Sequence, residues 1–363
     1  RKILEGLADV FNNSKVLITG HTGFKGSWLT LWLDKLGAKV YGISDCIPTD
    51  PSHFLDASIS ELVEDLRLDI LNINELEKAI NEIEPDYIFH LAAQPIVKES
   101  YVNPLKTWNS NTFGTLNILD VLRKREKSCI AVFITSDKAY DNQEWQWGYR
   151  ENDRLGGPDP YSASKGAAEL AISSYFRSYF KYHEFDIRVS SARAGNVIGG
   201  GDWAKDRIVP DCIRSWSLGK SVMLRNPEST RPWQHVLEPL RGYLILAASL
   251  KMNKNINGES YNFGPSSEQN KTVMELVKSL SKFFKFSEIQ TISEDGIKNE
   301  SNLLKLNCDK ALNDLAWSPI LNFSQTIEFT AEWYKTYLEK PDSIKQISMN
   351  QIEIFTELST KAY

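Results

Sequence analysis

Along the first half of the chain, short β-branched apolar runs alternate with stretches of helical period. Lys15 to Thr19 is one such run, and the helix after it has Trp28, Leu29, Leu31, Trp32, Leu33 and Leu36 as its apolar set. Gly37 ends that helix, and Lys39 to Ile43 predicts a second strand. A Pro-rich loop from Cys46 to Phe54 leads to a third strand within Leu62 to Leu68. Asn72 is placed to cap a helix running to about Glu84, Pro85 stops it, and Tyr87 to Leu91 reads as a buried strand. A helix from about Asn103 to Lys124 precedes a strand from Cys129 to Thr135. After a long loop, a helix from Tyr161 to about Tyr182 precedes a strand from Asp186 to Ala192. This strict alternation predicts an α/β fold, a doubly wound parallel sheet with helices on both faces.

Beyond Ala194 the pattern loosens. Gly195 to Trp203 is a glycine-rich loop, and Arg207 to Leu218 is a helix. Ser229 to His235 is a polar segment, followed by a helix from about Glu238 to Leu250 and a strand from Glu259 to Phe263. Several short helices are expected after that. We expect a first domain over residues 1–193 and a smaller α+β domain over 194–363. Segments near 235–263 are expected to return to the first.

Composition narrows the class without choosing a function. With 363 residues, 42% apolar and 25% charged, the chain can bury a large core as an ordinary soluble protein. The net charge of −5 is spread over interspersed acids and bases, so no nucleic-acid partner is expected. The longest apolar runs, such as Tyr243 to Leu250, are too short to span a membrane, and no apolar leader precedes the first strand. A cytoplasmic protein with no membrane association is the expectation. The four cysteines show no C-x-x-C pairing and the five histidines no ligand spacing. Free thiols and no metal are expected.

Between the first strand and its helix lies Gly20-His-Thr-Gly23-Phe24-Lys25-Gly26. In that setting a glycine triplet is a dinucleotide fingerprint, with the helix N-terminus meeting a pyrophosphate. An acid about twenty residues on is expected to hold the adenosine ribose and to favour NAD over NADP. Asp45 fits, and Ser44 is the alternative. Asp69 and Ile70, after the third strand, are expected to border the adenine. Leu91, Ala92 and Ala93 end the fourth strand with room for a cofactor, whereas His90 reads as a buried, satisfied histidine.

Tyr161 and Lys165 are four apart on one helix and so share a face. A phenol with pKa about 10 is a poor base, but a fixed ammonium and a positive nicotinamide ring beside it favour the phenolate. Thr135, expected toward the cofactor, and Ser136 close the preceding strand, and Asn111 lies on the intervening helix. With the glycine triplet, this arrangement resembles the extended short-chain dehydrogenase/reductases. The resemblance implies a Rossmann fold and a catalytic set of Tyr161, Lys165, Ser136 and Asn111.

Asp137 and Lys138 add a second acid–base pair directly after Ser136. An epimerase needs only the tyrosine system; a second pair points to loss of water after oxidation. The stretches GHTGFKGSWL, HLAAQPIVKESY, DPYSASKGAAEL and ARAGNVIGGGDW are similar to the nucleotide-sugar 4,6-dehydratases of that family. They imply CDP-glucose as the substrate, tightly held NAD, and a homo-oligomer, dimer or tetramer. The resemblance implies Asp137 as acid and Lys138 as base; from ordinary charge states the reverse needs no pKa shift.

The resemblance also places Asn196, Arg207 and Arg231 along the substrate's nucleotide, where arginine can grip a diphosphate. Trp203 and Trp233 are stacking candidates and equally candidates for the core. Gln94 and Lys98 are candidates for the sugar hydroxyls. Trp145 and Trp147 either close over the sugar or anchor the long loop. The alternatives are a dTDP-glucose or GDP-mannose dehydratase, a 4-epimerase, and a catalytically dead NAD-binding scaffold. A scaffold would be expected to have lost Tyr161 or Lys165.

Overall fold

β-branched and aromatic runs put alternate side chains on opposite faces of a strand, and in a parallel sheet both faces must be covered. The computed structural model, which describes residues 2–266, 269–291 and 303–361, shows this arrangement. In chain order the first half comprises α1 (Lys2–Phe11), β1 (Lys15–Thr19), α2 (Phe24–Lys35), β2 (Lys39–Ser44), α3 (His53–Asp56), β3 (Glu64–Arg67) and α4 (Ile73–Ile83). It continues through β4 (Tyr87–His90), α5 (Val97–Val102), α6 (Pro104–Trp108), α7 (Gly114–Arg123), β5 (Cys129–Ile134), α8 (Pro160–Ser178) and β6 (Ile187–Arg193). The Asn72 side chain accepts from the Glu75 N–H, the cap its sequence position predicted.

The strands form a seven-stranded sheet, ordered β3-β2-β1-β4-β5-β6 and completed at the edge by β11 (Ser260–Asn262), all pairs parallel. Val16, Ile18, Phe89 and Val132 pack on one face; Leu17, Ile88, Ala131 and Phe133 pack on the other. The order reverses between β1 and β4, so a crevice opens at their carboxyl ends, the usual ligand position in such sheets.

The second half adds β7 (Val197–Ile198), α9 (Ile208–Ser217), β8 (Val222–Leu224), β9 (Thr230–Pro232), β10 (Gln234–His235) and α10 (Leu237–Met252) before β11. After it come β12 (Asn270–Thr272), α11 (Val273–Ser281), β13 (Ile289–Thr291), α12 (Asp309–Leu315), α13 (Phe323–Glu339) and α14 (Ile344–Lys361). Where short helices were expected at the end, α13 and α14 run to 17 and 18 residues. They fold back on the first half: Trp32 meets Phe355 edge-on at 5.8 Å, and His53 hydrogen-bonds Ser348 at 3.0 Å. One apolar core accordingly runs from Leu7 to Phe355 across the expected boundary near residue 193.

The helix expected from Asn103 to Lys124 runs unbroken from Pro104 to Arg123, but it is not α throughout. A π turn over 109–113 separates α6 from α7, and such turns recur at functional sites. Side chains of this turn tie it to α8 and to the loop after β4. Asn111 donates to Ser164 Oγ at 2.9 Å and accepts from the Gln94 N–H at 2.8 Å. Thr112 donates to the Ser164 carbonyl at 3.0 Å.

Candidate active site

Gly20 ends β1 with φ at 77°, a left-handed conformation that favours glycine. A Cβ at Gly26 would lie 2.1 Å from the Gly20 carbonyl oxygen, so strand and helix approach as closely as glycine allows. The N-cap of α2 is Gly23, which offers no side chain to cap the first turn. Together these make a cradle suited to a pyrophosphate. At its adenosine side, Ser44 is bonded to His21 Nδ1 at 3.0 Å and Asp45 stands exposed beyond it. The Ser44 hydroxyl thus braces the glycine loop. His21, missed in the sequence, carries that brace to Asp65 through Nε2 at 2.9 Å.

Asp69 is exposed and accepts from the Leu71 N–H at 2.9 Å, while Ile70 is buried. Leu91, Ala92 and Ala93 are half-buried, and Gly20 packs directly on the Leu91–Ala92 backbone. His90 is satisfied on both nitrogens by Thr19 and Thr115, and burial pushes it down to about 3. Phe24 packs on the main core. Lys25 is half-buried, donates to the Tyr243 hydroxyl at 3.5 Å, and is pushed down to about 8, first by burial and then by Arg207.

The carboxyl end of β5 meets the start of α8. The α8 helix is capped by Asp159, which accepts from the Ser162 N–H, and Pro160 holds its first turn. Tyr161 and Lys165 are buried on it, at 7% and 5% exposure. Burial pushes Tyr161 up to about 12, against a hydrogen bond from Ser136 and the Arg207 cation, with the Asp137 carboxylate adding to the rise. The expected acidification of the phenol is therefore not seen here. Lys165 is itself pushed down to about 8 by burial, with Glu169 opposing the fall.

Asp137 is buried against Gly195, where a Cβ would fall 1.8 Å from its Oδ2. Its Oδ1 accepts from Ser136 Oγ at 3.0 Å and its Oδ2 from Asn196 Nδ2 at 3.5 Å. Lys138 is half-buried, and its N–H donates to Ser136 Oγ at 3.2 Å. Ser136, Asp137, Lys138, Tyr161, Lys165 and Asn196 are thus brought together. Arg207 is held by Asp202 at 2.7 Å, and its charge reaches both Tyr161 and Lys25.

Other candidates are placed differently. Trp203 is 6% exposed, with Tyr334 and Tyr337 against its ring at 5.2 and 4.9 Å, so it is a core aromatic and not a platform for a base. Trp233 is buried and donates to the Lys271 carbonyl at 3.1 Å. The Gln94 side chain turns inward to Ile96 and Thr107, and Lys98 pairs with Asp206. The Thr135 hydroxyl, expected toward the cofactor, donates to Glu169. Arg231 is half-buried on β9. Trp145 stacks on Tyr149 at 5.3 Å and anchors the long loop, whereas Trp147 is 66% exposed. Among the described residues no cluster of three or more histidine, cysteine or acidic side chains has metal-binding geometry, and no helix is long and apolar enough to cross a membrane.

The chain is similar to known proteins along most of its length. A family model described as GDP-mannose 4,6 dehydratase matches residues 17–330. The chain is 42% identical over 337 residues to a CDP-glucose 4,6-dehydratase of Salmonella typhimurium, covering 92% of this chain and 94% of that one. Among solved structures, a UDP-glucose 4-epimerase from Thermotoga maritima superposes with TM-score 0.76 at 21% identity, over 90% of this chain and all of that one. A dTDP-glucose 4,6-dehydratase from Bacillus anthracis, in complex with NAD, gives 0.73 at 21% identity, over 90% and 98%. Both likenesses concern the fold.

Proposed function

The chain belongs to the GDP-mannose 4,6 dehydratase family of extended short-chain dehydrogenase/reductases, and we propose that it is a hydro-lyase converting CDP-glucose to CDP-4-keto-6-deoxyglucose. One observation carries this reading. Asp137 and Lys138 directly follow the serine that bonds Tyr161, so an acid–base pair at the end of β5 adjoins the redox tyrosine of α8. The 42% identity to the Salmonella enzyme supports the nucleotide.

The cradle at Gly20, Gly23 and Gly26 fits the pyrophosphate of NAD, and exposed Asp45 after β2 is our candidate for the adenosine ribose. NAD, when bound, supplies a hydride acceptor and donor. Tyr161 takes the proton from the carbon 4 hydroxyl while Ser136 hydrogen-bonds the same oxygen. Arg207 and Ser136 draw the phenol toward its base form. Ketone formation at carbon 4 acidifies the carbon 5 proton. Lys138 removes that proton and Asp137 protonates the carbon 6 hydroxyl as it leaves as water; with the hydride restored at carbon 6, Lys138 returns a proton to carbon 5. Arg207, Arg231 and Asn196 receive the diphosphate.

The test is incubation with CDP-glucose, dTDP-glucose, UDP-glucose and GDP-mannose. A 4-keto-6-deoxy product chiefly from the first is expected; no keto product from any of them overturns the reading. Lys138→Ala tests the division of roles, because carbon 5 exchange with deuterated solvent at the normal rate would give the base role to Asp137.

Two finer readings accompany it. Exposed Leu105, Phe113 and Leu170, on the neighbouring helices α6 and α8 and the π turn between α6 and α7, support a homo-oligomer, to be checked by light scattering. All four cysteines are unpaired, which supports a reducing, cytoplasmic setting.

A further inference from the structure

Behind the tyrosine–lysine face lies a polar network that the proposed chemistry does not use. Glu169 follows Lys165 by one turn of α8 and is 3% exposed. Its Oε1 accepts from Arg193 Nε at 2.9 Å and from the Thr135 hydroxyl. Its Oε2 accepts from Arg193 Nη2 at 2.9 Å, Ser191 Oγ at 2.7 Å and Ser260 Oγ at 3.3 Å. Arg193, itself 2% exposed, also donates through Nη1 to the Tyr140 hydroxyl at 2.7 Å and the Glu151 carbonyl at 3.0 Å. The Tyr140 hydroxyl in turn donates to Asn262 Oδ1 at 2.8 Å. One carboxylate thus collects α8, the end of β5, β6 and β11, and Arg193 extends it to the long loop.

A buried ion pair is weak evidence of a stabilising role, because desolvating both charges offsets their attraction. What the Glu169 pair does have is position. Thr135 immediately precedes Ser136, and Glu169 stands on the helix that carries Tyr161 and Lys165. We propose that Glu169, clamped by Arg193, is a positioning residue for the reaction: it ties the Ser136 end of β5 to the tyrosine helix and supplies the anion facing Lys165.

The surroundings of Lys165 support this. Of the groups that face it, His90 from β4 is neutral and Lys25 from α2 is a like charge. Burial disfavours the ammonium, and Glu169 is the charge that opposes burial. Without that anion the lysine loses its proton at a lower pH, and the phenol loses its cationic neighbour.

The inference rests on the oxidation step of the proposed function, so its test includes a measurement that does not depend on the substrate. In Glu169→Gln, the pH at which Lys165 becomes reactive to a small acylating reagent, located by mass spectrometry, should fall by at least one unit relative to the unaltered enzyme. In turnover of CDP-glucose, the alkaline limb should shift the same way, with kcat down at least tenfold and KM within twofold. Glu169→Asp keeps the anion, so the limb should stay in place. Thr135→Val cuts only the tie, so kcat should drop several-fold with the limb unmoved. Should Glu169→Gln fail to fold, Glu169→Gln with Arg193→Gln removes both charges and carries the labelling test. An unchanged Lys165 profile in a folded variant lacking the carboxylate overturns the electrostatic role. Full kcat in Thr135→Val overturns the tie. Failure of the unaltered enzyme to turn over CDP-glucose would count against the proposed function and leave the labelling result standing.

Discussion

The two halves of the candidate site are built on different supports. The half carrying Tyr161 and Lys165 lies on a long, capped helix, with Asn111, Ser164 and Thr112 bonded beneath it and the Glu169–Arg193 pair behind. The half carrying Asp137 and Lys138 is a single 3-10 turn. Asp137 has two donors and a glycine against it, and Lys138 is half-buried at the rim. The proposed redox groups are thus held by a helix and a buried ion pair, and the proposed acid–base pair by one short turn at the end of β5.

Removing the phenol separates the halves most sharply. Tyr161→Phe keeps the ring and its packing but deletes the proton acceptor, so both oxidation and net dehydration should fall by at least about 10³-fold. Reduction of bound NAD, followed by absorbance on adding CDP-glucose, should be undetectable over the normal turnover time. Retained NADH formation would place the base elsewhere.

Gly195→Ala attacks the other half from outside it. The added methyl would fall within 2 Å of the Asp137 carboxylate, at 1.8 Å, and must displace it. Dehydration should drop by about 10²-fold, the scale of a lost general acid or base. Hydride transfer, carried by Tyr161, should persist and leave a 4-keto intermediate with its carbon 6 hydroxyl intact. Equal loss of both steps would mean that the halves are not separable.

How much of this was legible follows from the range of each interaction. The strand–helix alternation, the Asn72 cap and the Tyr161–Lys165 face are set by neighbours within a turn or two, and periodicity exposes them. Glu169 sits at the same spacing beyond Lys165 and was open to the same reading. Its meaning was not, because its partner Arg193 is 24 residues away on another element. The π turn at 109–113 depends on Ser164, more than fifty positions on, and no local pattern announces it. For Trp203 the stacking and core readings stood level in the sequence, because the rings that bury it come from α13, far along the chain. The return of α13 and α14 onto the first half is likewise long-range and has no local signal.

The pH profile tests the redox half at smaller amplitude. Burial lowers Lys165 to about 8, so the ammonium is present below that pH and lost above it. Turnover should hold through neutral pH and fall above about pH 8, approaching tenfold loss per unit. Lys138→Ala should leave this limb in place for the hydride-transfer step measured alone. A limb that disappears with Lys138 would assign it to the rim.

The smallest effect is expected where the enclosure ends. Lys98, on α5, pairs with Asp206 in the loop before α9, and the two side chains are 49% and 42% exposed. Two long side chains lose rotamer freedom to meet, and water and salt screen what they gain, so such pairs contribute between nothing and about 1 kcal/mol. Lys98→Ala should shift the unfolding midpoint by about what a loss of 0.5 kcal/mol produces, and less at high salt. Its kcat should stay within twofold, since no catalytic group is bonded to it. A large fall in kcat would show that the rim pair aligns α5 and the Arg207 loop for catalysis. The contrast between a redox half on a long helix and an acid–base half on a short turn would then have to be redrawn around Asp206.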